Sequence, residues 1–195
     1  NLNSFAGKIL RIDPMTGLGL SNNPYAAGQP LDSDRAKIYQ LGLRNPFSMG
    51  FDSSGRLFIS DTGWNTWEEI NSGPAGANFG WPYYEGGDNG INQKTGDYQD
   101  FPTAAAFYAA VQSGSIVITP AYSAFSHSSS VPGYHTQAIT GGDVIYTGNR
   151  YPAAFQNDFF FSDFSNGNVF SIDTNDRRKI EFLYNAGVNQ FGPDR

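Results

Sequence analysis

Short runs of β-branched and aromatic residues alternate with glycine-rich turns along most of the chain. One pattern returns three times, at residues 7–13 (GKILRID), 55–61 (GRLFISD) and 167–173 (GNVFSID). Each copy has a turn glycine, then four or five strand-forming residues, and then an aspartate that ends the strand. The copies begin roughly 50 residues apart, or about twice that, which is the spacing of the repeated sheets in a β-propeller.

Further strands are predicted between these copies. They cover residues 37–43, 48–51, 68–71, 143–146, 159–162, 168–172 and 180–184. The run from Phe159 to Phe161 lacks any alternation of apolar and polar residues, which is typical of a strand buried on both faces. Residues 83–115 fit no repeat, so we interpret them as a surface insertion, within which the alanine-rich residues 103–111 predict a short helix.

The repeats predict an all-β fold, in which residues 1–195 form one domain holding about three to four blades of a propeller. A closed propeller needs roughly 4–8 blades, and a half ring would leave apolar blade faces open to water. We therefore expect the remaining blades to come from the rest of a longer polypeptide or from another chain. The alternative is a compact β-sandwich in which the repeats are coincidental.

Composition and charge narrow the classes of function. The 195 residues include 16 Phe, 11 Tyr and 3 Trp, an aromatic content that argues against a disordered chain. A net charge of −6 without a basic run makes nucleic acids and anionic membranes poor partners. The absence of cysteine excludes disulfide bonds and thiolate metal sites within the chain. No apolar stretch approaches the roughly 18 residues of a membrane-spanning helix.

A more specific pattern lies between residues 41 and 82. It consists of residues 41–47 (LGLRNPF), 55–63 (GRLFISDTG), 67–71 (WEEIN) and 76–82 (GANFGWP), in that order. This block resembles the soluble glucose/sorbosone dehydrogenase family, whose members are six-bladed propellers that use pyrroloquinoline quinone (PQQ) and calcium. The resemblance continues upstream and downstream of this block, at residues 7–13, 126–128, 138–142 and 158–163. It therefore covers nearly the whole chain apart from the insertion.

The resemblance implies a quinoprotein oxidoreductase that oxidises an aldose sugar and passes electrons to an external acceptor, in the periplasm or outside the cell. In the family, the general base is a histidine on a blade upstream of everything present here, so we assign no catalytic residue. The two histidines, His127 and His135, are more simply surface or hydrogen-bonded residues. The alternative function is a non-catalytic, calcium-stabilised propeller module of a larger secreted or cell-surface protein that binds carbohydrate or protein partners.

Three residues are candidates for binding the cofactor. Arg44 is a planar, permanently charged donor that suits a carboxylate or a quinone oxygen, and the resemblance implies that Arg44 and Asn45 lie over PQQ. Thr62, which stands where some relatives have glutamine, matches a third cofactor position. Residue chemistry alone leaves another interpretation open, in which Arg44 pairs with a nearby carboxylate and Asn45 caps the turn before Pro46.

Calcium prefers hard oxygen ligands, often backbone carbonyls together with one or two carboxylates. The resemblance implies that the carbonyls of Gly63 and Trp64 bind the cofactor-associated calcium, although Trp64 replaces a proline of the best-studied relatives. It also implies a second, structural calcium held by Glu69 and by the carbonyl of Phe79. The alternative for Glu69 is a strand-end residue packed beside tryptophans.

Tyrosines in and near the insertion are candidates for stacking on sugar rings: Tyr83, Tyr84, Tyr98 and Tyr108. The alternative is that these rings pack on their own blade, as aromatic residues in loops more often do.

Overall fold

The computed structural model describes residues 1–87, 91–96, 98–128, 136–144 and 152–184. Strands predominate among these residues, and they are β1 (Lys8–Leu10), β2 (Ile38–Leu41), β3 (Pro46–Phe51), β4 (Leu57–Asp61), β5 (Trp67–Asn71), β6 (Tyr84–Glu85), β7 (Gln93–Lys94), β8 (Ser123–Ser126), β9 (Ile139–Val144), β10 (Asp158–Asp163), β11 (Val169–Asp173) and β12 (Ile180–Tyr184). The helices of the described residues are α1 (Asp34–Lys37) and α2 (Ala104–Gln112), and a 3₁₀ turn covers Ala153–Phe155.

The chain divides into two compact units, of which unit 1 contains Asn1–Arg44, Gly73–Glu85 and Gln93–Thr119. In unit 1, β1 pairs antiparallel with β2, and β6 pairs antiparallel with β7. Ser33 caps the N-terminus of helix α1, and its hydroxyl accepts a hydrogen bond from the Ala36 N–H. Helix α2 forms within the alanine-rich run, so the predicted short helix is confirmed.

Unit 2 contains the described residues of Asn45–Ser72, Gly86–Asn92 and Pro120–Arg195. Its strands form two four-stranded antiparallel sheets, with the orders β3-β4-β5-β8 and β9-β10-β11-β12. Each sheet has its strands in chain order, which is the arrangement of a propeller blade. The total number of blades in the chain stays a prediction.

An apolar core joins the two sheets of unit 2. The first sheet contributes Phe58, Ile70 and Phe125, and the second contributes Ile139, Phe159, Phe161, Phe170 and Ile172. Phe161 and Phe170 stack with their ring centroids 5.1 Å apart. Phe159 and Phe161 are both buried, and all five positions of β4 and of β5 are buried as well. Strands β4 and β5 are therefore covered on both faces, whereas in β10, for which this was expected, Phe160 between the two buried rings is only half-buried.

Most of the predicted strands form, with small differences at their ends. Residues 37–43 contain the end of α1 followed by β2, because Lys37 closes the helix that Ser33 caps. The strand predicted at residues 143–146 begins earlier, at Ile139, and residues 145–146 lie outside the described residues, as does His135. Residues 83–115 contain β6, β7 and α2, and their interpretation as an insertion stays a prediction.

Candidate functional site

Arg44 follows β2 in a segment that is held against residues 77–81 by backbone hydrogen bonds. The Phe79 N–H donates to the Leu41 carbonyl at 3.0 Å, and the Trp81 N–H donates to the Gly42 carbonyl at 2.9 Å. Gly42 has φ +79°, and a Cβ atom there would lie 2.5 Å from the Gly80 nitrogen, so only glycine fits at this position. The half-buried Arg44 guanidinium then lies 5.7 Å from the centroid of the Trp81 ring.

A cavity of about 390 Å³ opens beside Arg44 within unit 1. Its lining combines two cations, Lys8 and Arg44, with the rings of Trp81, Tyr83 and Phe107, and includes no acidic residue. The Lys8 ammonium donates to the Ala6 carbonyl at 2.7 Å, and partial burial lowers the pKa of Lys8. A cavity with this lining suits a flat anion, because the cations attract its charge and the rings contact its faces.

Asn45 and Thr62 come together in unit 2 through their backbone atoms. The Asn45 N–H donates to the buried Asp61 carboxylate at 2.7 Å, and the Thr62 N–H donates to the Asn45 carbonyl at 3.1 Å. These bonds lie where β3 and β4 meet, since Pro46 pairs with Asp61 in the ladder. The side chain of Asn45 is exposed, and the alternative in which it caps the turn before Pro46 stays a prediction.

Residues 62–66 connect β4 to β5 and contain both carbonyls predicted to bind calcium. The Thr62 hydroxyl donates to the Ile139 carbonyl at 2.7 Å, and the Gly63 N–H donates to the Glu68 carboxylate at 3.2 Å. Gly63 is buried, whereas the Trp64 side chain is 47% exposed. Hydrogen bonds of Thr62 and Gly63 therefore fix the start of this connection, whereas the Trp64 side chain lies at the surface.

The sequence pattern of a known protein family, described as "Glucose / Sorbosone dehydrogenase", matches residues 1–143. The chain belongs to the glucose/sorbosone dehydrogenase family. The match includes Arg44, the connection at residues 62–66 and the whole first sheet of unit 2, so the resemblance stated for the sequence is confirmed.

Curated relatives match shorter parts of the chain. The HIPL2 protein of Arabidopsis thaliana is 36% identical over an alignment of 103 residues, and the match covers 44% of this chain and 14% of that protein. Quinoprotein glucose dehydrogenase B of Acinetobacter calcoaceticus is 36% identical over 83 residues, which are 43% of this chain and 16% of that protein. The matched part is thus a small share of each relative's length.

Solved structures of sugar dehydrogenases have the same fold. The PQQ-bound aldose sugar dehydrogenase of Streptomyces coelicolor has a TM-score of 0.63 at 20% identity, covering 95% of this chain and 41% of that one. The soluble aldose sugar dehydrogenase of Escherichia coli, in its apo-form, has a TM-score of 0.64 at 19% identity, covering 95% and 46%. The chain therefore has the fold of part of these propeller enzymes and spans less than half of their length. This likeness argues against an unrelated β-sandwich.

Glu69, a predicted ligand of the second family calcium, is buried on β5 opposite Asp61 in the ladder. Its carboxylate accepts hydrogen bonds from the Gly86 N–H and, at 2.8 Å, from the Asn71 side-chain amide. Burial, and then repulsion by Asp61, raise the pKa of Glu69 to about 8. Both oxygens of the Glu69 carboxylate therefore already accept a hydrogen bond within unit 2.

Phe79, the partner predicted for Glu69, is buried in unit 1, while Glu69 belongs to unit 2. The second calcium site therefore stays a prediction. No group of three or more acidic and histidine side chains in the described ranges is arranged to hold a metal.

The tyrosines proposed to stack on sugars contact other aromatic rings. Tyr83 lies 4.8 Å from Phe107, and Tyr84 lies 5.3 Å from Tyr108, as measured between ring centroids. The Tyr108 hydroxyl donates to the Tyr83 carbonyl at 3.0 Å. Tyr98 likewise contacts the Trp81 ring, at 5.1 Å. These contacts favour the alternative in which the rings pack within their own part of the chain.

The hydrogen bond between the buried Glu68 and His127 was not predicted from the sequence. The motif WEEIN drew attention to Glu69 through the resemblance, and His127 was interpreted as a simple surface or hydrogen-bonded residue. In the structure Glu68 is fully buried and lies 2.7 Å from the His127 ring nitrogen Nε2. Two adjacent glutamates inside a predicted strand were the available signal, because at least one of them had to face an interior.

Proposed function

We propose that the chain is part of a quinoprotein dehydrogenase that oxidises an aldose sugar with PQQ and calcium. The observation that carries this proposal is the position of Arg44, at the edge of a cationic and aromatic cavity without an acidic lining residue. PQQ is a flat ring system that carries carboxylates and quinone oxygens, which are the groups that such a cavity would bind. When bound, PQQ would supply the acceptor for the hydride of the sugar.

The residues of the chain would position the cofactor and its ion. Arg44 would bind a carboxylate or a quinone oxygen of PQQ, with Asn45 and Thr62 as further cofactor contacts. The carbonyls of Gly63 and Trp64 would bind the associated calcium. The backbone of Thr62 and Gly63 is already fixed by hydrogen bonds at 3.1 and 3.2 Å, so a ligand there would meet a preformed loop.

Glu69 would supply a carboxylate to a second, structural calcium, with the Phe79 carbonyl as its predicted partner. Its carboxylate is buried, and a cation there would offset the cost of burying the charge. Calcium of this kind is typical of modules that work at extracellular calcium concentrations. We accordingly place the protein in the periplasm or outside the cell. No helix among the described residues is long and apolar enough to cross a membrane.

The propeller would be completed by further blades, from the same polypeptide or from another chain, and these would supply the general base. One edge strand of unit 2 supports this part of the proposal. Phe47, Met49 and Phe51 lie on the same face of β3, and their exposed fractions are 64%, 54% and 51%. An apolar stripe of this kind is typical of a surface that a neighbouring element covers.

A second candidate function is a non-catalytic propeller module that binds carbohydrate or protein partners. Trp64 favours it, because an exposed indole stands at a predicted calcium position where the best-studied relatives have proline. The HIPL2 protein of Arabidopsis thaliana, whose name states no activity, leaves this candidate open.

One experiment separates the two functions. The full-length protein is mixed with PQQ and calcium, the quinone absorbance of the protein fraction is measured, and an aldose is then added. Binding followed by bleaching of the quinone absorbance supports the dehydrogenase. If neither signal is observed in the full-length protein, the enzyme proposal is wrong and the non-catalytic binding module is the remaining candidate.

A further inference from the structure

The carboxylate of Glu68 connects three separate segments of unit 2. Its Oε2 atom accepts hydrogen bonds from the Gly63 N–H at 3.2 Å and from the Ile139 N–H at 2.8 Å. Its Oε1 atom lies 2.7 Å from Nε2 of His127. The Glu68 side chain is completely buried, so these hydrogen bonds replace the water that a carboxylate would otherwise bind. The Glu68 side chain thus hydrogen-bonds to all three segments.

The connection at residues 62–66 is held from two further directions. The Thr62 hydroxyl donates to the Ile139 carbonyl at 2.7 Å, so both backbone polar groups of Ile139 are bound by this part of the chain. Ile139 is fully buried and starts β9 in the second sheet. On the other side, the His127 N–H donates to the Thr66 carbonyl at 2.9 Å. The connection is therefore fastened to both sheets of unit 2.

We propose that Glu68 is the positioning residue of the Gly63–Trp64 turn, and that His127 keeps its carboxylate oriented. This inference rests on the proposed function, in which the Gly63 and Trp64 carbonyls bind calcium. The N–H that Glu68 holds belongs to the peptide immediately before those carbonyls. Glycine is the residue with the widest backbone freedom, so Gly63 needs such an anchor to keep its carbonyl in one direction. Groups that orient metal ligands typically contribute about 10–100-fold to metal affinity.

The test measures calcium binding to the full-length protein by isothermal titration calorimetry, with calcium alone as the ligand. The variant is Glu68→Gln, which keeps the size of the side chain and removes its charge. The matched control is Asp158→Asn, which alters another buried carboxylate of unit 2, bound to the Ser171 hydroxyl at 2.8 Å. We expect the calcium Kd to rise about tenfold in Glu68→Gln, and to stay at the wild-type value in Asp158→Asn.

Amide hydrogen exchange without calcium gives a second measurement that needs no bound ion. We expect the Gly63 and Ile139 amides to exchange faster in Glu68→Gln than in the wild type, and to be unaffected in Asp158→Asn. If Glu68→Gln does not fold, His127→Gln tests the same role, with a smaller loss of calcium affinity expected because both backbone donors to Glu68 remain.

The outcomes separate this inference from the function on which it rests. A wild-type protein that binds no calcium would overturn the proposed function, and the role of Glu68 towards the ion with it. Wild-type affinity in Glu68→Gln would overturn only the role of Glu68. Equal losses in Glu68→Gln and Asp158→Asn would indicate a general loss of packing and would also count against it. A loss confined to Glu68→Gln, together with faster exchange at Gly63, supports the proposal.

Discussion

The imidazole of His127 lies 2.7 Å from the carboxylate of Glu68, although 59 positions separate the two residues in the chain. Pairing of β5 with β8 brings them together, because Trp67 and Ser126, their neighbours in sequence, face each other in the ladder. The side chain of Glu68 is fully buried, while 17% of the His127 side chain is exposed. The histidine therefore covers a carboxylate that has no direct contact with water.

Replacing His127 with alanine removes the side chain that is shown to hydrogen-bond to Glu68 in the described part of the chain. One carboxylate oxygen then loses its partner, so we expect the free energy of unfolding to fall by about 1–3 kcal/mol. Urea denaturation followed by tryptophan fluorescence measures this change. Ser128→Ala is the control, because the exposed Ser128 hydroxyl contacts only Ser126 in the described structure. Equal stability of His127→Ala and the wild type would mean that the Glu68–His127 pair makes no net contribution to the free energy of unfolding.

Gly142 has no room for a side chain. Its φ is +153°, and a Cβ atom there would lie 2.3 Å from Cζ of Phe159 and 2.8 Å from the Ser60 hydroxyl oxygen. Both neighbours belong to the core region between the sheets, so we expect Gly142→Ala to lower the free energy of unfolding by about 2 kcal/mol or more. Gly96→Ala is the control, since no atom of the described residues lies within 4 Å of a Cβ atom there. Thermal denaturation of the two variants tests the difference, and similar midpoints would contradict it.

The fold was largely accessible from the sequence because each sheet is built from consecutive strands. Turn glycines and β-branched residues mark β4 and β11 directly, and such local signals are sufficient when neighbouring strands also pair. Strand β8 (Ser123–Ser126) was not predicted, because two of its four residues are serine and its apolar content is low. It forms because β5 offers it a ladder partner across an intervening segment, which is tertiary information.

The candidate site was less accessible, for a physical reason that β5 illustrates. All five of its residues are buried, so alternation cannot show which of Glu68 and Glu69 faces which neighbour. The resemblance pointed to Glu69, and the network around Glu68 became visible only once β8 and β9 were in place. Backbone carbonyls such as that of Gly63 carry no sequence signal of their own, so their roles came from the resemblance alone.

The pH dependence of stability should report on Glu69. Its pKa in the folded protein is raised to about 8, whereas its ordinary value is 4.5. Because the folded value is the higher one, the stabilising contribution of the protonated group is complete below about pH 4.5 and is lost as the pH rises through about 8. With calcium chelated, we therefore expect the free energy of unfolding to decrease across this range.

Glu69→Gln cannot ionise, so this part of the decrease should disappear in the variant. Urea denaturation at several pH values, with a calcium chelator present, measures both proteins. A slope that persists unchanged in Glu69→Gln would assign it to another titrating group. Added calcium should also flatten the wild-type curve if Glu69 binds the ion, because a cation stabilises the ionised form.

Arg44 is the residue whose replacement bears most directly on the cofactor. Arg44→Lys keeps the positive charge but loses the planar pair of donors that a carboxylate or a quinone oxygen can engage. A hydrogen bond to a charged group contributes about 1.5–3 kcal/mol, so we expect PQQ to bind about tenfold more weakly or worse. Titration of PQQ into the full-length protein, followed by quinone absorbance, measures the change. Arg178→Lys is the control, because 85% of the Arg178 side chain is exposed and its ion pair with Asp176 is local.

The cavity beside Arg44 makes a second variant informative. Lys8 lines the same cavity and its partial burial already lowers its pKa, so Lys8→Met removes the other cation without adding an acidic group. If the cavity binds a carboxylate of the cofactor, both Arg44→Lys and Lys8→Met weaken PQQ binding. If only Arg44→Lys does so, Arg44 binds the cofactor and Lys8 does not. Unchanged PQQ affinity in both variants would mean that this cavity does not bind the cofactor. The dehydrogenase proposal would then lose the observation that supports it.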